Sequence, residues 1–110
     1  RSTPLAHGSS RRVFSVQTAE KLQELLAGVV AEGTGRQAAP SEGTAAGKTG
    51  TAQTGQFRDG EELKNHWFAG FYPAEKPRWT IVVMQDAQTE PEVSSAAVFA
   101  RLCDALSAGE

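Results

Sequence analysis

Only five residues, Pro73 to Pro77, separate the aromatic segment His66 to Tyr72 from the next extended segment, Arg78 to Gln85, which is centred on the β-branched run Thr80-Ile81-Val82-Val83. Parallel strands need a crossover of about a dozen residues or more, so two strands joined this tightly are antiparallel neighbours. The same reasoning reaches back to a third segment, Ala46 to Thr54, which is short, rich in threonine and punctuated by glycine. Its link to the aromatic strand, Gly55 to Asn65, is charged and holds Asp59-Gly60, a pair suited to a tight hairpin turn. Three antiparallel strands in sequence order are therefore expected.

Helical periodicity brackets them. From Ser15 onward Ala19, Leu22, Leu25, Leu26, Val29 and Val30 recur at spacings of three and four, one apolar stripe along about four turns, with Ser15 or Thr18 placed to cap its start. Gly33 and Gly35 are expected to close that helix in the left-handed conformation, and Gly33 to Gly47 is loop chemistry. Beyond the strands, Thr89-Glu90-Pro91-Glu92 reads as a capping box with Pro in the first turn, and Ala96, Phe99, Leu102, Cys103 and Leu106 form the apolar face of a final helix. Helix, three strands, helix is an α+β fold with both helices packed on one face of the sheet. Residues 1–14 are expected as a flexible N-terminal arm, in which only Val13-Phe14 is anchored, and residues 15–110 as a single partial domain. Arg1 opens the chain and Met84 is its sole methionine, so the sequence is expected to be a piece of a longer protein.

Composition excludes several classes. With 11 Lys+Arg against 13 Asp+Glu the net charge is −2, which excludes a basic nucleic-acid-binding surface. No apolar run approaches the ~18–20 residues that a membrane span needs. The single cysteine, Cys103, lies on the stripe with Phe99 and Leu106 and is expected in the core. His7 and His66 have no neighbouring ligand set, so neither a metal nor a cofactor is expected. Trp67, Phe68, Phe71 and Trp79 are expected to pack beneath the helices rather than to form a sugar-stacking platform.

The chemically distinctive run is Gly47-Lys48-Thr49-Gly50-Thr51-Ala52-Gln53. In a strand Lys48 and Gly50 face one side and Thr49 and Thr51 the other, yet at a sheet edge all of them can approach one ligand. A cation, two hydroxyls and unpaired backbone N–H groups make a rail for a carboxylate or an oxyanion, and Gly50 leaves room beside it. The phosphate-loop reading of Gly47-Lys48-Thr49 fails on spacing, because that motif needs Gly where this chain has Glu42.

Lys48-Thr49-Gly50-Thr51-Ala52-Gln53 resembles the Lys-Thr-Gly box of penicillin-binding proteins and serine β-lactamases. Together with Leu22 to Gly35 and with His66-Trp67-Phe68-Ala69-Gly70-Phe71-Tyr72-Pro73, the resemblance is to the C-terminal part of a class B penicillin-binding protein transpeptidase domain, over roughly Val13 to Leu106. It implies part of a D,D-transpeptidase that attacks the D-Ala-D-Ala end of a peptidoglycan stem peptide with a serine, forms an acyl-enzyme and passes the acyl group to an amine on a neighbouring strand. β-Lactams would acylate the same serine. On the family pattern Lys48 supplies positive charge and a proton-relay contact near the nucleophile. Thr49 and Thr51 hold the substrate carboxylate, the Thr51 N–H is an oxyanion donor, and Gly50 keeps the strand face open. The implied setting is the extracytoplasmic face of a bacterial membrane, with the anchor outside this piece and the piece itself soluble.

The catalytic set is incomplete here. None of the serines at 2, 9, 10, 15, 41, 94, 95 and 107 has Lys three places later, and the only Asn, Asn65, forms no Ser-x-Asn. The piece alone is expected to be inactive, with the missing part of the domain as its natural partner and an exposed strand edge that favours self-association. The alternative is a separate, non-catalytic binding or structural module on the same half-fold.

Overall fold

The structure, a computed structural model, describes residues 8–109. Strands β1 (Ala46–Arg58), β2 (Glu61–Tyr72) and β3 (Trp79–Gln88) form one antiparallel sheet in the order β1-β2-β3, the arrangement that the short Pro73–Pro77 link demands. β1 and β2 run further than their sequence suggests. The segment Gly55 to Asn65, read as a charged link, is the far half of a hairpin whose turn residues Asp59 and Gly60 have φ of 53° and 83°. A bulge between Gln53 and Gln56 breaks the alternation there. The Thr54 hydroxyl donates to the Leu63 carbonyl and accepts the Gln56 N–H, and the Gly55 N–H reaches the Glu62 carboxylate at 3.0 Å.

Register divides the side chains between two faces. Thr49, Phe68 and Val83 form one row across the sheet, Gly47, Gly70 and Ile81 the next on that face, whereas Lys48, Ala69 and Val82 lie opposite. The helices cover the Phe68 face. Helix α1 (Val16–Ala31) starts where the Ser15 hydroxyl accepts the Thr18 N–H at 3.1 Å, and it packs against β1. Helix α2 (Ser95–Ala108) lies over β2 and β3, and a 3₁₀ turn, Arg36–Ala38, touches both helices. Phe68 and Phe99, both fully buried with ring centroids 4.6 Å apart, centre a core completed by Val30, Tyr72, Val83, Ala96 and Cys103.

Several expectations are corrected. Gly33 and Gly35 close α1 without a left-handed residue: both N–H groups reach the Val29 carbonyl at 3.0 Å, and a Cβ on Gly35 would lie 3.0 Å from Val29 Cγ1. Close approach, rather than positive φ, selects glycine at position 35. α2 begins at Ser95 under an Ser94 cap, whose hydroxyl accepts the Ala97 N–H, so Thr89 to Val93 stays outside the helix. Leu22, Leu25 and Leu102 point to solvent, because three strands give too little surface to bury both whole stripes. Trp67 lies on the uncovered sheet face, and Val13 and Phe14, read as anchors, are 72% and 57% exposed. The arm's first residues, 1–7, lie outside the described residues; residues 8–14 have no regular secondary structure.

Candidate active site

Among the described residues β1 pairs only with β2, so its outer edge is open along the box. Lys48 is exposed, and its Nζ donates to the Thr49 carbonyl at 3.3 Å and lies 3.5 Å from Thr49 Oγ1. The ammonium therefore bends round the edge from one face towards a hydroxyl on the other. Thr51 is exposed two residues on, beside His66 on the paired strand.

The box's two glycines serve different ends. A Cβ on Gly47 would meet the Ala69 carbonyl oxygen at 2.6 Å and the Phe68 ring at 2.6 and 2.8 Å, so Gly47 lets β1 sit tight on the core. On Gly50 the nearest atom would be Trp67 Cβ at 3.8 Å. Its position is open, which leaves space beside the cation and the hydroxyls.

Thr49, Gly50 and Thr51 also form one wall of a cleft of about 160 Å³, closed by Gln37, His66, Pro91 and the first residues of α2. Sequence reasoning did not place Ser94, Ser95 or Gln37 there. A signal was present in Ser94-Ser95, since a serine before an apolar run is a helix cap, and capping fixes the start of α2 against the sheet. Ser95 is buried, with its Oγ 2.9 Å from the His66 carbonyl and 2.8 Å from Gln85 Oε1, while Gln85 Nε2 donates to the Val93 carbonyl at 2.8 Å. The Ser94 hydroxyl donates to Gln37 Oε1. These serines hold the cleft wall together, and neither is followed three places later by a lysine.

Burial, reinforced by the neighbouring Asp104 charge, pushes the Cys103 thiol up to about 11, so it is a core group rather than a nucleophile. Among the described residues no three of His, Cys, Asp and Glu are grouped to hold a metal ion.

Comparison with known proteins agrees with the family resemblance. The family model described as the penicillin binding protein transpeptidase domain matches residues 6–104. Stage V sporulation protein D of Bacillus subtilis (strain 168) is 38% identical over 89 residues, 78% of this chain and 13% of that protein. Among solved structures, the apo transpeptidase domain of Burkholderia pseudomallei penicillin-binding protein 3 superposes with a TM-score of 0.78 at 29% identity, covering 93% of this chain and 33% of that one. The D,D-transpeptidase domain of a peptidoglycan glycosyltransferase from Eggerthella lenta does so with a TM-score of 0.63 at 35% identity, covering 84% of this chain and 21% of that one. The chain thus spans a small part of the length of the curated relatives it matches.

Proposed function

The chain belongs to the penicillin-binding protein transpeptidase domain family, and from that premise we propose that it supplies the substrate strand of a peptidoglycan D,D-transpeptidase. The observation that carries this reading is the open edge of β1, along which Lys48 Nζ reaches the Thr49 hydroxyl while Gly50 leaves the adjacent space free. A stem peptide ending in D-Ala-D-Ala, or a β-lactam, would lie along that edge. Lys48 would bring positive charge and a proton-relay contact, Thr49 and Thr51 would hold the terminal carboxylate, and the Thr51 N–H would face the developing oxyanion.

The attacking serine belongs to a Ser-x-x-Lys motif that these 110 residues do not contain. Acyl transfer therefore needs a polypeptide that joins this strand to that motif, and the setting we propose for it is the extracytoplasmic face of a bacterial membrane. No helix among the described residues is long and apolar enough to cross one. The outer edge of β3 would be paired in such an assembly, and in its absence we expect chains to associate there.

Fluorescent penicillin tests the reading. The 110-residue chain should take no covalent label, whereas a longer polypeptide carrying both motifs should. Its Lys48→Ala variant should acylate roughly a hundredfold more slowly or worse, the usual cost of losing a preorganised charge or oxyanion donor. Labelling of the short chain at any serine, or an unslowed Lys48→Ala variant, would show the box to be misassigned and would favour the non-catalytic module.

A further inference from the structure

Away from the rail, α1, the loop 39–45 and the β2–β3 turn enclose a groove of about 650 Å³, a volume within the range of ligand sites. Its floor is apolar, formed by Ala27, Val30 and Ala31 of α1 with Pro40, Ala45 and Ala74 opposite. Its rim carries Glu20, Glu24 and Glu75, and among the described residues no Lys or Arg lines it. Hydrogen bonds tie its walls together: Gln23 Nε2 donates to the Ala74 carbonyl at 3.3 Å, the Ala74 N–H to the Thr44 carbonyl at 2.8 Å, and the Thr44 hydroxyl to Glu75. The Tyr72 hydroxyl holds the loop through the Glu42 carbonyl at 2.9 Å. The groove is thus braced from three elements and does not depend on a ligand to stand open.

We propose that this groove docks a short basic peptide segment, which sets an apolar side chain on the Ala27–Val30–Ala31 floor and Lys or Arg against Glu20, Glu24 and Glu75. Charge complementarity decides the occupant. Lys21, 3.7 Å from Glu24, is an exposed i,i+3 pair of little strength, so the rim stays acidic. That rim repels nucleic acid and anionic lipid alike, while the floor requires apolar burial that a lone cation does not supply. The groove is open along α1, with room for several side chains, which favours a peptide over a single small amine. None of Lys48 to Gln53 lines it, so this site stands apart from the proposed substrate strand.

The test is fluorescence anisotropy of the 110-residue chain with a labelled eight-residue peptide of alternating Leu and Arg, beside one of alternating Leu and Glu. The Leu-Arg peptide should bind saturably at one site and the Leu-Glu peptide should not. Glu24→Lys with Glu75→Lys should weaken binding at least about tenfold, as should Ala31→Trp, which crowds the floor from an exposed helix position without changing the charge. Circular dichroism reports whether each variant stays folded. Glu61→Lys with Glu92→Lys makes the same charge change elsewhere and should leave the affinity within about twofold. Equal loss in that control, full binding by folded Ala31→Trp, or equal binding of the Leu-Glu peptide would overturn the proposal.

Discussion

Gly47→Ala and Gly50→Ala add the same methyl group to the same strand three residues apart, and the structure assigns them opposite effects on stability. At position 47 the new carbon would sit 2.6 Å from the Ala69 carbonyl oxygen and 2.6 Å from Phe68 Cε1. Neither neighbour can yield. The carbonyl belongs to the paired backbone of β2, and the Phe68 ring is fully buried against Phe99. Overpacking of a core costs typically about 1–3 kcal/mol, and two immovable overlaps place this substitution at about 3 kcal/mol. At position 50 the nearest atom is 3.8 Å away, an ordinary contact. Replacing a glycine inside a strand then gains back roughly 0.5–1 kcal/mol of backbone entropy. The two variants should therefore differ by about 4 kcal/mol, which at a urea dependence of about 1.5 kcal/mol/M separates their unfolding midpoints by more than about 2 M. In a polypeptide that carries the serine motif, Gly50→Ala should nonetheless slow acylation by fluorescent penicillin, because the methyl occupies the space beside the rail. Equal destabilisation by the two substitutions would refute the assignment of packing to Gly47 and of open space to Gly50.

Three further outcomes follow from side-chain environments. Val82→Lys places a charge on the exposed face of β3 and should lower the association seen by light scattering at high concentration without lowering the urea midpoint. Cys103 should resist thiol reagents at pH 8 until urea unfolds the chain. Because the folded thiol keeps its proton up to about pH 11 while the unfolded thiol releases it near its ordinary value of 9.0, stability should fall as pH rises through that interval, and Cys103→Ala should remove that slope. Glu75 is the acid counterpart: the Thr44 hydroxyl holds its carboxyl below the usual carboxylate range, so its contribution is present above the ordinary value and lost as pH falls through the lowered one. Thr44→Val should return the Glu75 titration, followed by NMR, towards the ordinary value.

The fold was legible where chain length forces geometry. Six residues between β2 and β3 allow one pairing, and Ser15 before an apolar run marks a helix start. It was obscured where backbone irregularity intervenes: the bulge at Thr54–Gly55 breaks the period-two pattern, so the distal hairpin read as a charged loop. Apolar periodicity identifies a face that wants burial but not what covers it, and Leu22, Leu25 and Trp67 stay exposed for want of surface. At the proposed site, Lys48 to Thr51 stand out in the sequence because the box is contiguous. Gln37, Ser94 and Ser95 do not, since they reach the cleft only through the packing of α2 on the sheet.

The two outer edges of this sheet differ in a way that fits their proposed uses. An unpaired edge invites further strands, and charge on the edge strand is one of the devices that prevent it. β1 carries exposed Lys48 beside Gly50 and Thr51, and the Lys48 ammonium folds round the edge to Thr49. A partner strand there would have to displace that cation, whereas a short ligand ending in a carboxylate would be drawn to it. β3 presents exposed Thr80, Val82 and Met84, with Asp86 its sole acidic or basic residue. Among the described residues of its centre no charged side chain opposes another strand. Pairing at β3 also leaves the helix face untouched, because Phe68, Val83 and Phe99 are already packed within the chain. The sheet can thus be extended on the β3 side while the β1 edge stays free, which is the geometry that the proposed acyl transfer along Lys48, Thr49 and Thr51 would require.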